Sequence, residues 1–307
     1  MDELREACET VAARARSVRI DAAAIRPYAA SLAAPLTAAT AGPIAPPPAG
    51  LDPEGIATFW LTLDSINFGS GWFPTLRKRD GRSGYNTVAL AWREHHGAHG
   101  PLTPAQLAGL DATAVATMLG QDPGHELMAL YALSLNDLGA RLRDAGGVTA
   151  VIEAADGSAI TFARRLGTWD CFTDVSRYDR VEVPFLKRAQ IAAADLHRAG
   201  SARFADLDWL TMFADNLVPH VLRLDGVLVL DPGLVARIES GQLIEHDSRE
   251  EIELRACALH AVELIVAALQ RIGASSTAAE VDQLLWTRGQ GPRYKAVPRH
   301  RSRCTAY

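Results

Sequence analysis

Apolar residues recur at helical spacing along most of the chain, and that pattern predicts most of its elements. Residues 2–17 carry Leu4, Ala7, Val11 and Ala15 on one face, which predicts an N-terminal helix. Residues 21–49 are rich in Pro and Ala and read as a connector folded against the body, stiffest at AGPIAPPPAG. Residues 55–63 predict a buried helix, and NFGSGWF after them reads as a turn whose glycines permit unusual backbone angles. Ser83 caps a helix to about Glu94. Thr103-Pro104 opens a helix that runs to Leu119, and another runs from about Pro123 to a stop at Gly146-Gly147. Residues 148–166 predict a helix pair broken at Asp156-Gly157. Residues 180–183 alternate and predict a short strand, with a second at 227–230. Helical periodicity returns at 185–199 and again at 207–213. Asp231-Pro232 and Ser248 read as helix starts, and residues 250–272 form the longest uninterrupted helix. That helix is largely buried, because residues 256–269 offer only His260 and Glu263 as polar side chains, three apart and placed to satisfy each other. Glu253 and Arg255 are placed to brace a site. The fold class is mainly α with minor β. Residues 1–50 form a helix and Pro/Ala-rich connector packed on a single helical domain at 51–307.

Composition narrows the class. Of 307 residues, 48% are hydrophobic and 22% charged, as in soluble globular chains. The four cysteines have neither metal-ligand nor CxxC spacing, which suits free thiols in a cytoplasmic protein. No apolar run is long enough to span a bilayer, so no membrane partner is expected. The net charge of -5 argues against a duplex nucleic-acid surface. Charge is uneven, however: residues 288–307 hold six Lys/Arg and no acid, leaving 25 basic against 36 acidic side chains elsewhere. A local cationic patch on an acidic body suits one small anion.

Three segments carry candidate chemistry. In DLDWLTMFADNLVPHVLRLDG, an apolar run ends just before Asp215, and Pro219 follows four residues later. This places Asp215 at the opening of a new helix with Pro219 in its first turn. There Asp215 reads either as a plain helix cap or as a partly desolvated anion of the kind an oxocarbenium-like transition state needs. In VPFLKRAQIAAADL, Lys187 and Gln190 share a helix face; Lys187 can hold a phosphate, pair with Asp215, or sit on a solvated face. In FWLTLDSINFGSGWFP, Asp64 and Asn67 lie three apart among Phe59, Trp60, Phe68, Trp72 and Phe73, which reads as an aromatic core or as a site for a flat heterocycle. The basic tail RYKAVPRHRSRCTAY clusters Lys295, Arg299, His300, Arg301 and Arg303, and Arg forks match phosphate oxygens. His95, His96 and His99 lack a completing ligand set nearby, so no metal is expected.

Together, FWLTLDSINFGSGWFP, VPFLKRAQIAAADL, DLDWLTMFADNLVPHVL, EIELRACALHAVELI and PRHRSRC resemble the queuosine salvage proteins, the queuosine 5′-phosphate N-glycosylases. The resemblance is collinear over residues 55–307. It implies a mostly helical fold related to the helix-hairpin-helix DNA glycosylases, and hydrolysis of queuosine 5′-phosphate to queuine and ribose 5-phosphate without metal or redox cofactor. It assigns Asp215 as the catalytic carboxylate and Lys187 as a site lysine. Asp64, Asn67, Phe68 and Trp72 fall in the block that contacts the base. His300, Arg301 and Arg303 fall in the closing basic motif, assigned to phosphate on the strength of its charge. The closing CTAY departs from a more aromatic finish in the family. Queuine is a 7-deazaguanine, so the leaving base has no N7 to protonate, and support of the sugar cation by Asp215 matters correspondingly more. Competing classes are a base-excision glycosylase acting on DNA or tRNA and a non-catalytic protein that binds a modified nucleobase.

Overall fold

A computed structural model of the chain describes residues 1–38 and 46–307. In chain order the elements begin with α1 (Asp2–Arg14), β1 (Val18–Ile20), α2 (Ala22–Ala38), α3 (Pro53–Ser65), α4 (Gly84–His99), α5 (Pro104–Ala108) and α6 (Ala112–Leu119). They continue with α7 (Glu126–Ala145), α8 (Val148–Glu153), α9 (Ala159–Gly167), β2 (Ser176–Tyr178), β3 (Val181–Val183) and α10 (Lys187–Arg198). The last are α11 (Leu217–Leu224), β4 (Leu228–Leu230), α12 (Pro232–Glu239), α13 (Arg249–Arg271), α14 (Ala278–Gly289) and α15 (Pro292–Lys295). The fold is mainly helical with few strands. Two compact units divide it: Met1–Ala41 with Val175–Lys187 and Asp208–Arg303, and Gly42–Asp174 with Arg188–Leu207 and Cys304–Tyr307.

In the first unit α13 is the central helix. It is buried from Glu251 to Cys257 and on through Leu259, Ala261, Val262, Ile265 and Leu269. Helices α1 and α2 and strand β1 pack on it. The turn after α1 is fixed by a buried carboxylate: Glu253 Oε2 accepts the amides of Arg16, Ser17 and Val18 at 3.0, 2.7 and 3.2 Å. Its Oε1 accepts the Tyr178 hydroxyl at 2.7 Å. Donors on both oxygens are what make a buried carboxylate tolerable. The following strand, β1, pairs antiparallel with β4, with Val18 opposite Leu230 and Ile20 opposite Leu228. Strands β2 and β3 form a separate hairpin. Helix α14 packs on α11 so closely that a Cβ on Gly289 would stand 2.8 Å from Leu217 Cδ1.

In the second unit α5 and α6 pack along α7. Trp92 of α4 donates to Thr62 Oγ1 of α3 at 3.1 Å. Arg188 is fully buried and donates to the carbonyls of Ser65, Cys171 and Ala306, with its guanidinium 5.1 Å from the Phe68 ring. The last residues, Cys304, Ala306 and Tyr307, are buried in this unit.

Several sequence expectations change. Residues 22–38 of the expected connector form helix α2 despite Pro27 and Pro35. The prolines forfeit ladder hydrogen bonds, but Ile25, Ala29 and Leu32 form a buried stripe in a helix that packs on α13. Residues 39–45 of that stretch lie outside the described residues. The helix expected over 103–119 is two, because the chain breaks at Gly109 and Asp111 recaptures the Ala114 amide at 2.7 Å. The stretch 207–213 holds one 3-10 turn, Leu207–Trp209, and then leaves helical geometry. Glu263 pairs with Arg5 Nε at 3.1 Å, a partner 258 positions away in sequence, in place of His260. No helix among the described residues is long and apolar enough to cross a membrane.

Gly139 of α7 has no room for a side chain: a Cβ would lie 2.5 Å from Ala108 N and 2.6 Å from Pro104 O. Those neighbours are backbone and cannot rotate away. Gly139→Ala is expected to cost about 1–3 kcal/mol, read as a lowered Tm; an unchanged Tm would contradict this packing.

Candidate functional site

The candidate site of the first unit is built on residues 210–216, a run between the 3-10 turn and α11. Leu210, Met212 and Ala214 are fully buried, so the backbone polar groups of this run need partners. Side chains from distant helices supply them. Asp282 Oδ1 on α14 accepts the Phe213 amide at 3.1 Å. Arg255 Nε on α13 donates to the Ala214 carbonyl at 2.9 Å. The run is tied down from its own side as well, since Asn216 Nδ2 donates to the His300 carbonyl at 2.9 Å.

Asp215 stands at the end of this run and is half-buried. Its Oδ1 accepts the amides of Leu217 and Val218 at 2.7 and 3.1 Å. These are two of the orphan donors that every helix start leaves, and they stabilise negative charge. Pro219, third in α11, has no N–H to satisfy. Both bonds use Oδ1, so the cap leaves Oδ2 uncommitted. The cap therefore occupies one oxygen of the carboxylate and leaves the other for a further partner.

Three ionisable side chains are linked to this carboxylate: Asp282 and Arg299 lie within its electrostatic reach, and Lys187 within that of Asp282. Lys187 is buried at the head of α10, directly after Leu186, which takes the left-handed φ of 51°. Asp282 is buried; burial and Asp215 push its carboxyl well above 3.8, opposed by the Phe213 amide and Lys187. Arg299 keeps part of its surface in solvent although protein crowds its guanidinium; burial pulls its pKa down, Asp215 raises it and Arg301 lowers it. The first unit thus gathers Asp215, Lys187, Asp282 and Arg299.

The rest of the closing basic segment is placed differently. His300 is buried, and its pKa is pushed to about 3 by burial, with Glu251 opposing and His220, Arg255 and Arg299 adding. It is a neutral ring whose carbonyl holds Asn216. Arg301 is half-buried and donates to the Gly241 carbonyl at 3.0 Å. Arg303 is exposed.

The second unit holds the aromatic block. Asp64 is fully buried and Asn67 half-buried. Phe68 is buried against Tyr131, with ring centroids 5.0 Å apart, and Tyr131 donates to the Phe68 carbonyl at 2.9 Å. Gly69 follows at a φ of 114°, and its amide meets the Tyr307 carbonyl at 3.1 Å. Trp72 is buried and its indole N–H goes to Glu126 at 2.7 Å. Tyr85 of α4 keeps some exposure, while burial and then the charges of Asp64 and Asp195 raise its pKa.

Sequence reasoning missed Asp282, Arg188 and Tyr85, and counted Arg299 in the basic cluster without naming it among the phosphate residues. Asp282 had a signal. It lies on the buried stripe of α14 with Ala278, Val281, Leu285 and Gly289, and an acid on an apolar stripe demands a partner.

A family model for the queuosine salvage protein matches residues 49–307. The chain belongs to this family. A Sphaerobacter thermophilus protein named queuosine 5′-phosphate N-glycosylase/hydrolase is 35% identical over 265 residues, covering 83% of this chain and 82% of that one. Proteins of the same name from Bos taurus and Schizosaccharomyces pombe are 31% identical over 150 residues and 38% identical over 119. The bovine match covers 44% of each chain; the Schizosaccharomyces pombe match covers 38% of this chain and 34% of that one.

His220 and His300 are both buried and held neutral, at about 4 and about 3 against the usual 6.5. Below 6.5 the unfolded chain binds protons that the folded chain refuses. Their contribution to stability is therefore full above 6.5 and is lost as pH falls toward 4. For His220 the loss is on the order of 3 kcal/mol. His220→Gln should show a shallower acid decline in denaturant melts than wild type; parallel declines would contradict the burial of a neutral ring.

Proposed function

We propose that this chain hydrolyses the N-glycosidic bond of queuosine 5′-phosphate and releases queuine for salvage. The observation that carries the mechanism is Asp215, a half-buried carboxylate whose Oδ1 is fixed by two helix amides. A preorganised anion stabilises the positive charge that develops on the sugar as the bond breaks. It costs no reorganisation at that moment, because the amides already hold it. Oδ2 is the oxygen that faces the anomeric carbon or guides the water that adds there. Lys187 and Arg299 supply positive charge beside it. The leaving 7-deazaguanine lacks N7, so its negative charge is met by hydrogen bonds at the guanine edge.

The 5′-phosphate is taken by the closing basic segment. Within it Arg299, beside Asp215, leads, and Arg301 and Arg303 add charge. His300 supports the turn through its carbonyl. Remote phosphate binding then positions the sugar. The base is met by the block of Asp64, Asn67, Phe68 and Trp72. Asn67 keeps exposure and offers both polarities, while Phe68 and Trp72 are buried walls. In this reading residues 51–307 carry catalysis and the preceding segment supports them. The fold is related to the helix-hairpin-helix DNA glycosylases, and a net charge of -5 favours a small nucleotide over a duplex. Four buried free cysteines suit a cytoplasmic setting.

Incubation with queuosine 5′-phosphate should yield free queuine by mass spectrometry; no release would overturn the reading. Asp215→Asn keeps an Oδ1 acceptor for Leu217 and Val218, so it should fold normally and lower kcat at least about 10²-fold. Asp215→Ala also loses the cap and should cost about 1 kcal/mol of stability. If Asp215→Asn retained full activity, Asp215 would be a cap alone. Arg299→Ala should lower kcat/KM for the nucleotide far more than for the bare nucleoside; equal losses would remove Arg299 from the phosphate.

A further inference from the structure

Asp282 is a buried acid on a helix otherwise packed through apolar residues, and nothing in the fold of α14 calls for it. Its Oδ1 accepts the Phe213 amide at 3.1 Å, two residues before Asp215. That stretch has no helix or strand ladder to hold it. One residue further on, Arg255 holds the Ala214 carbonyl at 2.9 Å. The peptide leading into Asp215 is thus gripped from α14 and α13 together.

We propose that Asp282 is a positioning residue for the hydrolysis: a neutral carboxylic acid that holds the backbone presenting Asp215. The proposal rests on the hydrolase reading above. The charged groups that act on Asp282 are Asp215 and Lys187, and the Phe213 amide donates to it. Two carboxyls within electrostatic reach of each other in a partly dry site do not ionise alike. Asp215 has two helix amides and partial exposure to support its charge; Asp282 has burial. The proton therefore rests on Asp282. Its neutral form leaves Asp215 as the anion available to the sugar. Ionised, Asp282 would oppose the charge on Asp215 and draw Lys187 toward itself.

Asp282→Asn separates the two halves of the proposal, because an amide keeps the acceptor and is always neutral. This variant should keep kcat within about threefold of wild type near neutral pH. Any fall in kcat with rising pH that stems from ionisation of Asp282 should be absent from this variant. Asp282→Ala removes the acceptor and should lower kcat about tenfold or more with a smaller change in KM. Activity of Asp282→Asn reduced about 100-fold with an intact fold would mean that the carboxylate works ionised and would overturn the proposal. Wild-type kcat in Asp282→Ala would overturn it as well.

Two readouts need no turnover. Folded Asp282 holds a proton that the unfolded chain releases above 3.8, so its own contribution to stability should fall as pH rises from there, read as the difference between wild-type and Asp282→Asn melts. Asp282→Asn should lack that fall. Infrared spectra at neutral pH should show a protonated carboxyl C=O stretch in wild type that vanishes in Asp282→Asn. Absence of that band in wild type overturns the neutral acid whatever the substrate proves to be. Wild type that releases no queuine sinks the hydrolase reading instead, and the band and the melts still judge Asp282.

Discussion

The candidate chemistry depends on one side-chain-to-backbone contact, Asp215 Oδ1 against the amides of Leu217 and Val218. A helix start leaves donors without partners, and a carboxylate that takes two of them is anchored in position and stabilised in charge. The same contact fixes where Oδ2 can point. A capping Asp and a functional Asp are commonly weighed as alternatives; in the proposed reading the cap is how the carboxylate is aimed. Pro219 completes the arrangement, because it presents no amide of its own.

That contact is only as firm as the irregular run that leads to it. Residues 210–214 are buried without regular secondary structure, so their polar groups depend on side chains from elsewhere. Arg255 is one of these. It is fully buried, its guanidinium lies 3.9 Å from the Phe185 ring, and Nη1 is 3.6 Å from Glu251. Burying a charge is costly unless it is paired and hydrogen-bonded. Helix α13 nevertheless buries Glu251, Glu253 and Arg255 in five residues. Glu253 ties down the turn after α1, and Arg255 ties down the turn before Asp215. The helix gives up some hydrophobic burial to hold two loops in place.

Local signals made much of the fold legible. Gly146 and Gly147, both at positive φ, end α7 where the sequence places the stop. Ser83, Asp231 and Ser248 cap helices as their spacing predicts. Helix α2 was not legible, because its prolines outweigh its alanines until the burial against α13 is known. The placement of Asp215 at a helix opening was legible from its flanks, an apolar run before it and Pro219 after it. Arg188 and Asp282 were not, since their partners come from segments far away in sequence: Ser65, Cys171 and Ala306 for one, Phe213 for the other. His300 could be seen as part of a basic tail, but its neutrality comes from burial and from neighbours that only the folded chain supplies.

The most direct test is a crystal structure of Asp215→Asn with intact queuosine 5′-phosphate bound. The account predicts the side chain at position 215 within about 3.5 Å of the anomeric carbon, with Arg299 turned toward the phosphate. A nucleotide whose sugar lies away from position 215, with that side chain facing bulk solvent, would contradict it.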